Sequence, residues 1–297
     1  MSIIGWMAGS VGVLTGSMAA GVYGLTVKAQ KPRVIANEYE PSVPFEEVEW
    51  ISHGKKVKGW FLPQHQVGGE RNADSPTIII AHGWGSNRAH VLRYALPLHA
   101  DGYAILMYDA RSHGESEYYR TPNGLQFRDD LLAAIEWIKS FPHANTSWIG
   151  VLGHSLGAFG AVLALEQNSS ISALVTDSMP VKFATMVGAE LKRRRLPEFP
   201  LAQLIPGLMV WRSGITRKTM KRANPVRILK ENEKTAKTPV MLVHSNLDPF
   251  IPSTELQYVL SHVPNIPHLF VDAEGHSASD RDPEFWPAVT RFFASTR

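Results

Sequence analysis

The sequence predicts an α/β protein with a mostly parallel, doubly wound sheet. Short apolar runs typical of buried strands alternate with longer stretches typical of helices from Thr77 to the C terminus. The chain has 297 residues, of which 44% are hydrophobic and 19% charged, and this composition suits one large domain with a substantial core. One interruption of the alternation, at residues 178–237, is too long for a plain loop and indicates an inserted unit.

The chain contains no cysteine. Disulfides, thiolate metal sites and cysteine nucleophiles are therefore excluded. The twelve histidines show no H-E-x-x-H or comparable ligand spacing, so the sequence predicts neither a metal site nor a cofactor.

The N-terminal end is strongly apolar. Residues 2–27 carry no ionisable side chain and are long enough to cross a bilayer as a helix. We interpret residues 1–33 as a single-pass membrane anchor. The alternative is a signal peptide cleaved near Val27, but no basic segment precedes the apolar stretch, which also exceeds the usual length of a signal core.

Positive charge follows the predicted span, at Lys28, Lys31 and Arg33. The positive-inside rule then places the C-terminal bulk of the chain in the cytoplasm, attached to the cell membrane. Cleavage of a signal peptide would give a secreted protein instead.

Residues 34–45, which include Pro41 and Pro44, are predicted to be a linker into a domain that spans 46–297. The first two strands alternate in hydrophobicity around a His-Gly turn and predict an antiparallel hairpin. The predicted strands are residues 46–52, 55–62, 77–81, 103–108, 147–152, 172–177, 239–244 and 267–271. The predicted helices are residues 88–100, 125–140, 156–167, 253–261 and 283–294.

The interruption at 178–237 is predicted to fold as a cap over the carboxyl edge of the sheet. Between residues 181 and 230, twelve Lys or Arg side chains accompany two acids, and an apolar run from Phe199 to Trp211 lies among them. A basic, apolar cap on a tethered protein suits an anionic lipid leaflet, whereas a solvated helix face explains the same charge equally well. No nucleic-acid-binding motif accompanies the charge, so nucleic acid is not a predicted partner.

The strand predicted at 147–152 leads into Gly153-His154-Ser155-Leu156-Gly157 and then into a helix. A strand, a tight turn and a helix are the setting that a G-x-S-x-G nucleophile elbow requires. Its flanking positions must lack a side chain, because the strand and the helix approach each other closely there. The motif makes Ser155 a candidate nucleophile, with the Leu156 N–H at the helix start as a natural oxyanion donor. A glycine-rich turn that binds nothing is the alternative.

A serine nucleophile needs a base, and the base needs an orienting carboxylate. Asp248 follows the strand at 239–244, and His276 follows the strand at 267–271, so both are expected at the carboxyl end of the sheet. Asp177 is a rival for the acid. His262 and His268 are rivals for the base, although their predicted positions, at a helix end and inside a strand, favour structural roles.

With these motifs, residues 46–297 resemble an α/β-hydrolase-fold serine hydrolase, and within that fold the single-span bacterial and ABHD-like hydrolases grouped with serine aminopeptidases and esterases. The resemblance implies Ser155 as nucleophile, His276 as general base and acid, and Asp248 as the carboxylate that orients the imidazole. It also implies an oxyanion hole formed by the N–H groups of Trp84 and Leu156.

The chain departs from the family's pattern at two positions. The loop from Tyr108 to Ser116 resembles the structural D-x-R-G-x-G-x-S element but carries Ser112 where glycine is usual. Ser245 likewise stands where an H-G-x-x-D motif would have glycine. Neither position belongs to the predicted catalytic set, so the departures concern local loop geometry.

We expect hydrolysis of carboxylic esters with acyl or lipid-like groups, of the carboxylesterase or lipase kind, because an apolar cap covers the predicted site. The alternatives are a serine peptidase or aminopeptidase of the same fold, which would need a carboxylate to hold a substrate amine, and a hydrolase-fold binding protein without activity. The predicted partners are a small ester or lipid-like substrate and the membrane, the latter through the N-terminal helix and the basic cap.

Overall fold

A computed structural model of the chain describes residues 17–32, 34–65, 69–72, 74–167 and 170–297. The strands are β1 Glu46–Ser52, β2 Lys55–Leu62, β3 Pro76–Ala81, β4 Ala104–Tyr108, β5 Asn145–His154, β6 Ala173–Asp177, β7 Val240–Ser245 and β8 His268–Val271. The helices are α1 (residues 17–29), α2 Leu92–Ala100, α3 Gly124–Ser140, α4 Leu156–Ala164, α5 Phe183–Arg193, α6 Leu201–Arg212, α7 Arg217–Arg222, α8 Pro225–Thr235, α9 Thr254–Leu260 and α10 Phe285–Ser295.

The strands form one eight-stranded sheet in the order β1-β2-β4-β3-β5-β6-β7-β8. β1 and β2 pair as the predicted antiparallel hairpin, β2 pairs antiparallel with β4, and the remaining strands run parallel. The chain passes from β3 to β4 on one side and then returns across β3 to β5 on the other. The ends of β3 and β5 therefore form a topological switch point, where ligand sites of open α/β sheets collect.

Buried apolar side chains fill both faces of the sheet. On one face, Ile135 of α3, Val162 of α4 and Leu229 of α8 belong to one buried cluster. On the other face, Leu98 of α2 and Phe293 of α10 belong to a second cluster. The parallel strands are covered on both sides, which explains their continuous apolar runs and confirms the predicted fold class.

Helices α5 to α8 occupy the interruption between β6 and β7, where the sequence predicts a cap. α5 begins at the edge of the sheet, where the buried Glu255 carboxylate of α9 accepts hydrogen bonds from the N–H groups of Val181 and Lys182 and from the Thr185 hydroxyl. Leu191 of α5 and Ile205 of α6 form a separate small core. The cap is thus anchored to the sheet by a buried carboxylate and has its own apolar contacts.

The predicted membrane span at 2–27 lies mostly in residues 1–16, outside the described part. Its described end, residues 17–27, belongs to α1, which packs Val22 and Leu25 on the small core of the cap. No helix within the described ranges combines the length and the hydropathy that crossing a membrane requires. The described residues therefore do not support the predicted transmembrane helix.

The predicted linker at 34–45 is held against the domain. The Asn87 side chain donates hydrogen bonds to the carbonyl groups of Ile35 and Ala36 at 3.0 and 2.9 Å, and Asn37 donates to Asp109 at 3.2 Å. Side-chain bonds of this kind leave no mark on local sequence, which is why the segment reads as a linker from composition alone.

Backbone segments approach each other very closely at the turn between β5 and α4. A methyl group added at Gly157 would lie 2.2 Å from the carbonyl oxygen of Ala81, and one added at Gly153 would lie 2.6 Å from the Cα of Ala158. The steric prediction for both glycines is confirmed, since neither site has room for a side chain.

We expect Gly157→Ala to destabilise the protein by about 1–3 kcal/mol or more, because the colliding atom is backbone and cannot move aside. Gly207→Ala is the matched control: it lies inside α6, where no atom of the described chain outside the helix's own backbone is within 4 Å of the added methyl, and it should stabilise by about 0.5–1 kcal/mol through helix propensity. Urea denaturation of the two variants and the wild type measures both effects. Equal stability of the two variants would contradict the steric account.

Candidate active site

Ser155 occupies the sharp turn between β5 and α4. Its backbone is strained, with φ 53° and ψ −120°, and its N–H donates to the carbonyl of Asp177 at 2.9 Å. A non-glycine residue at positive φ carries a strain cost that the surrounding structure must offset. The turn places the Ser155 hydroxyl at the carboxyl end of the sheet, above the switch point.

The structure brings Ser155, His276 and Asp248 together in one hydrogen-bonded chain. Asp248 Oδ2 accepts the Nδ1–H of His276 at 2.7 Å, and the Ser155 hydroxyl lies 2.9 Å from His276 Nε2. The carboxylate at Nδ1 fixes the imidazole tautomer, so Nε2 is free to accept the serine proton. This is the geometry that an activated serine needs.

Asp248 is well prepared to stay ionised. Burial alone would raise its pKa, but the His276 hydrogen bond and charge, together with the N–H groups of Ile251 and Phe250, outweigh burial and hold the pKa below its usual value. Both N–H groups donate to Oδ1, at 2.9 and 2.8 Å. The other oxygen is thereby left for the imidazole.

The loop that carries His276 is fixed from two sides. His154 Nε2–H donates to the His276 carbonyl at 2.9 Å. Further along the same loop, the Ser279 hydroxyl donates to the buried carboxylate of Asp177 at 2.7 Å, and Tyr94 donates to the other oxygen of that carboxylate. Asp177, the rival acid, is therefore occupied in holding the loop and does not contact the imidazole.

The two predicted oxyanion donors lie beside Ser155. Leu156 is the first residue of α4, and Trp84 follows Gly83, where an added methyl would lie 2.8 Å from Ser155 Cβ. Within the described chain neither the Trp84 nor the Leu156 N–H has a hydrogen-bond acceptor. Unpaired N–H groups close to a nucleophilic serine are the kind of donors that can stabilise an oxyanion. Sequence reasoning singled out Trp84 but missed that Gly83 must lack a side chain.

The loop that contains Trp84 is tied to the loop after β4. The buried Asp109 carboxylate accepts the Arg88 N–H and the Arg88 guanidinium, both at 2.7 Å. The same guanidinium donates to Glu115 at 2.7 Å. This network holds the loop from Tyr108 to Ser116 in place, which agrees with the structural role that the resemblance implies for that loop.

The two serines that replace the family's glycines are accommodated. Ser112 adopts φ 67°, the conformation that favours glycine, and its hydroxyl both donates to the Tyr119 carbonyl and accepts the Tyr119 N–H. The Ser245 hydroxyl donates to the Ala273 carbonyl and accepts the Leu247 N–H. Each hydroxyl forms hydrogen bonds within its own loop. The replacement of glycine by serine therefore leaves the site intact.

A cavity of about 620 Å³ adjoins the site: its lining includes Leu156 and Phe250, which are chain neighbours of Ser155 and Asp248, but none of the three hydrogen-bonded side chains themselves. Trp84, Leu156 and Phe250 line it at the reaction site, and the Phe250 ring also packs 5.3 Å from the His276 ring. Its walls are predominantly apolar and come from α4, the cap helices α5 and α6, and α1. Sequence reasoning missed Phe250, whose only signal was its place two residues after Asp248.

The other candidate residues are placed apart from this chain of hydrogen bonds. His262 caps the carbonyl of Tyr258 at the end of α9, and His268 bonds the carbonyl of Ile266 at the start of β8. Within the described residues no three His, Asp or Glu side chains are grouped so that they could hold a metal ion.

The fold and this geometry define an α/β-hydrolase-fold serine hydrolase. Residues 72–226 match the family model described as "serine aminopeptidase, S33". The chain is 30% identical over 234 residues to the uncharacterized protein YqkD of Bacillus subtilis, a match that covers 76% of this chain and 70% of YqkD. The chain therefore belongs to the S33 serine aminopeptidase family of α/β hydrolases.

Two further similarities bear on its activity. The chain is 31% identical over 151 residues to the uncharacterized peptidase YuxL of Bacillus subtilis, covering 47% of this chain but 22% of YuxL. Its fold is similar to that of the Pyrococcus furiosus esterase Pf2001, with a TM-score of 0.70, 25% identity, and coverage of 90% of this chain and 97% of the esterase. One of these two similar proteins is named a peptidase and the other an esterase.

Three histidines around the site stay neutral. Burial is the main cause that lowers the pKa of His82 to about 4 and that of His113 to about 3, and burial, with Arg93 nearby, lowers the pKa of His154 well below its ordinary value. His82 donates from Nδ1 to the Gly83 carbonyl and accepts the Ala110 N–H at Nε2, so a second proton has no acceptor.

We expect stability to fall steeply on mild acidification. Each of the three histidines is neutral when folded and binds a proton when unfolded below about pH 6.5, so their contribution is complete above that pH and is lost as the pH falls toward 4. The unfolding free energy should drop by about 3–4 kcal/mol between pH 6 and pH 5. Denaturant titrations at these two pH values measure the drop, and an unchanged free energy would show that the histidines are already charged in the fold.

Proposed function

We propose that this protein is a serine esterase that cleaves carboxylic esters with acyl or lipid-like groups. The observation that carries the proposal is the Ser155–His276–Asp248 hydrogen-bonded chain, with an apolar cavity next to it that Leu156, Phe250 and Trp84 help to line. An apolar cavity with a few convergent polar groups at one end suits a substrate with an apolar chain and one reactive polar bond.

In the proposed mechanism His276 takes the Ser155 proton as the serine oxygen attacks the ester carbonyl. The developing oxyanion is held between the N–H groups of Trp84 and Leu156, and Asp248 stabilises the imidazolium that forms. His276 then returns its proton to the leaving alcohol. A water molecule, activated by the same imidazole, releases the acyl group from Ser155.

A serine aminopeptidase is the second candidate, favoured by the family's description and by the name of YuxL. A peptidase of this kind would use a carboxylate to hold the substrate's ammonium group. Glu190 is the acid that lines the cavity, and its carboxylate is bonded to the guanidinium groups of Arg193 and Arg194. Because the Glu190 carboxylate is already paired with two arginines, the cavity suits an ester substrate better than a peptide with a free amine. A non-catalytic binding protein is the third candidate, which the intact chain of hydrogen bonds disfavours.

We also propose that the protein associates with the cytoplasmic face of the cell membrane. Residues 2–16 are uncharged and apolar, and Met18 and Tyr23 of α1 continue this character as exposed side chains. On the cap, Phe199 and Trp211 are 80% and 69% exposed among the surrounding basic residues. Apolar side chains with basic neighbours suit the surface of an anionic bilayer. Secretion after cleavage of the N-terminal stretch is the alternative.

Ser155→Ala should abolish labelling by a fluorophosphonate probe and lower the hydrolysis of p-nitrophenyl esters by at least about 10⁴-fold, because the nucleophile is lost. The matched control is Ser140→Ala, at the end of α3, which should label and turn over as the wild type does. Labelling gels and initial rates measure both effects.

A panel of p-nitrophenyl esters of rising chain length, run beside aminoacyl-amide substrates, separates the candidates. An esterase should prefer longer esters over every amide. Faster cleavage of the amides would establish the peptidase, and a wild-type protein that neither labels nor turns over any substrate would establish the binding protein.

The membrane proposal predicts that the full chain sediments with vesicles containing 30% phosphatidylserine and does so less at high salt, since screening weakens surface electrostatics. Phe199→Ser/Trp211→Ser should reduce sedimentation. Ile51→Ser/Tyr118→Ser removes two exposed apolar side chains elsewhere on the domain and should leave it unchanged. Equal loss in both double variants, or no binding by the wild type, would exclude this surface as the contact.

A further inference from the structure

We infer that the ester substrate is a single-chain molecule with an anionic group, such as a phosphate or a carboxylate, that contacts Lys28 and Lys31. The inference rests on the proposed esterase activity and names its substrate class. It places the apolar chain in the cavity next to Ser155 and the anion at the part of the cavity wall that α1 and the segment immediately after it contribute.

The first observation is that α1 and the segment immediately after it form part of the cavity wall. Leu25, Lys28 and Lys31 line the cavity together with residues of the cap. The position of this segment is fixed, because the buried Gln30 amide donates to the carbonyl of Met209 at 3.2 Å and to the hydroxyl of Ser213 at 3.0 Å. Lys28 and Lys31 therefore lie at defined places on the wall.

The second observation is the charge on the lining. Among the described residues, its ionisable groups are four cations and one acid: Lys28, Lys31, Arg193, Arg194 and Glu190. The two arginines share the acid, since Glu190 accepts from Arg193 at 2.7 Å and from Arg194 at 2.5 Å. These bonds, with the Arg193 bond as the largest cause, lower the pKa of Glu190 and keep it ionised.

The two lysines, in contrast, have no carboxylate within 4.0 Å among the described residues. Their side chains are exposed, so each ammonium group can exchange water for an anion at little desolvation cost. The uncompensated charge of the lining is thus positive. It attracts an anionic ligand and repels the protonated amine of a peptide substrate.

The third observation is that the interior offers little else for a polar group. Phe159 of α4, Phe183 and Met186 of α5 and Ile205 of α6 face the cavity. A linear apolar chain removes these surfaces from water, whereas a branched polar headgroup would leave its hydrogen bonds unmade there. The cavity combines apolar walls with a cationic segment, which matches an anionic amphiphile.

The test uses two pairs of esters in which one member carries an added anionic group. One pair is p-nitrophenyl octanoate and the mono-p-nitrophenyl ester of octanedioic acid, which places a carboxylate at the end of the acyl chain. The other is 1-dodecanoylglycerol and its 3-phosphate, which places the anion on the alcohol. We expect the wild type to show a lower KM for the charged member of at least one pair, and the pair that responds shows which side of the ester faces the lysines.

Lys28→Gln/Lys31→Gln should raise the KM for the preferred charged ester by about tenfold, the effect of losing two partly exposed ion pairs, and leave the neutral ester unchanged. Raising the salt concentration should reduce the wild-type preference. The matched control is Lys192→Gln/Lys221→Gln, which removes two exposed lysines of the cap that do not line the cavity. This control should retain the preference.

Binding separates this inference from the proposed activity. The Ser155→Ala protein, titrated with decyl phosphate and with decanol, should bind the phosphate more tightly, and the two lysine substitutions added to it should abolish the difference. Hydrolysis of neutral esters without any preference for charge would overturn the inference and leave the esterase intact. Tighter binding of decyl phosphate in a protein that hydrolyses no ester would overturn the esterase alone. Equal binding of both ligands, or equal loss in the control variant, would overturn the inference.

Discussion

The close approach of three backbone segments at Ser155 is the constraint on which the rest of the site depends. Gly153 and Gly157 let β5 and α4 meet at the turn, and Gly83 lets the loop after β3 lie against the serine. Ser155 keeps its strained positive φ because these segments leave it no other conformation. The same approach brings the Trp84 and Leu156 N–H groups to the serine, so one steric arrangement sets both the nucleophile and its proposed oxyanion donors.

Buried carboxylates hold the loops around that arrangement, and each has a different task. Asp177 fixes the loop of the base through Ser279, Asp109 fixes the loop of Trp84 through Arg88, and Glu255 fixes the start of the cap. Asp248 alone among these acids contacts the imidazole. Buried charges of this kind stabilise a loop only when their hydrogen bonds are complete, which explains why each carboxylate has two or more donors.

Much of the domain could be predicted from sequence because parallel strands buried on both faces read as continuous apolar runs between glycine-rich turns. The strand ends then placed Ser155, Asp248 and His276 at one edge of the sheet, and their catalytic roles remain a proposal. The packing of α1 could not be predicted, since a predominantly apolar helix suits lipid and a protein surface equally well. The engagement of Glu190 by Arg193 and Arg194 follows from their i+3 and i+4 spacing on α5, a helix that the sequence analysis did not assign within the cap.

Because α1 lines the cavity, removing it would change the substrate profile measured on a truncated protein. Apolar N-terminal stretches are routinely removed to ease purification, and a fragment starting at residue 34 would lack Leu25, Lys28 and Lys31 from the cavity wall. The three carbonyl and hydroxyl partners of Gln30 would also lose their donor. Such a fragment would retain its serine, imidazole and carboxylate while presenting an opened, less cationic cleft, so a substrate profile recorded on it would describe a different enzyme from the intact chain.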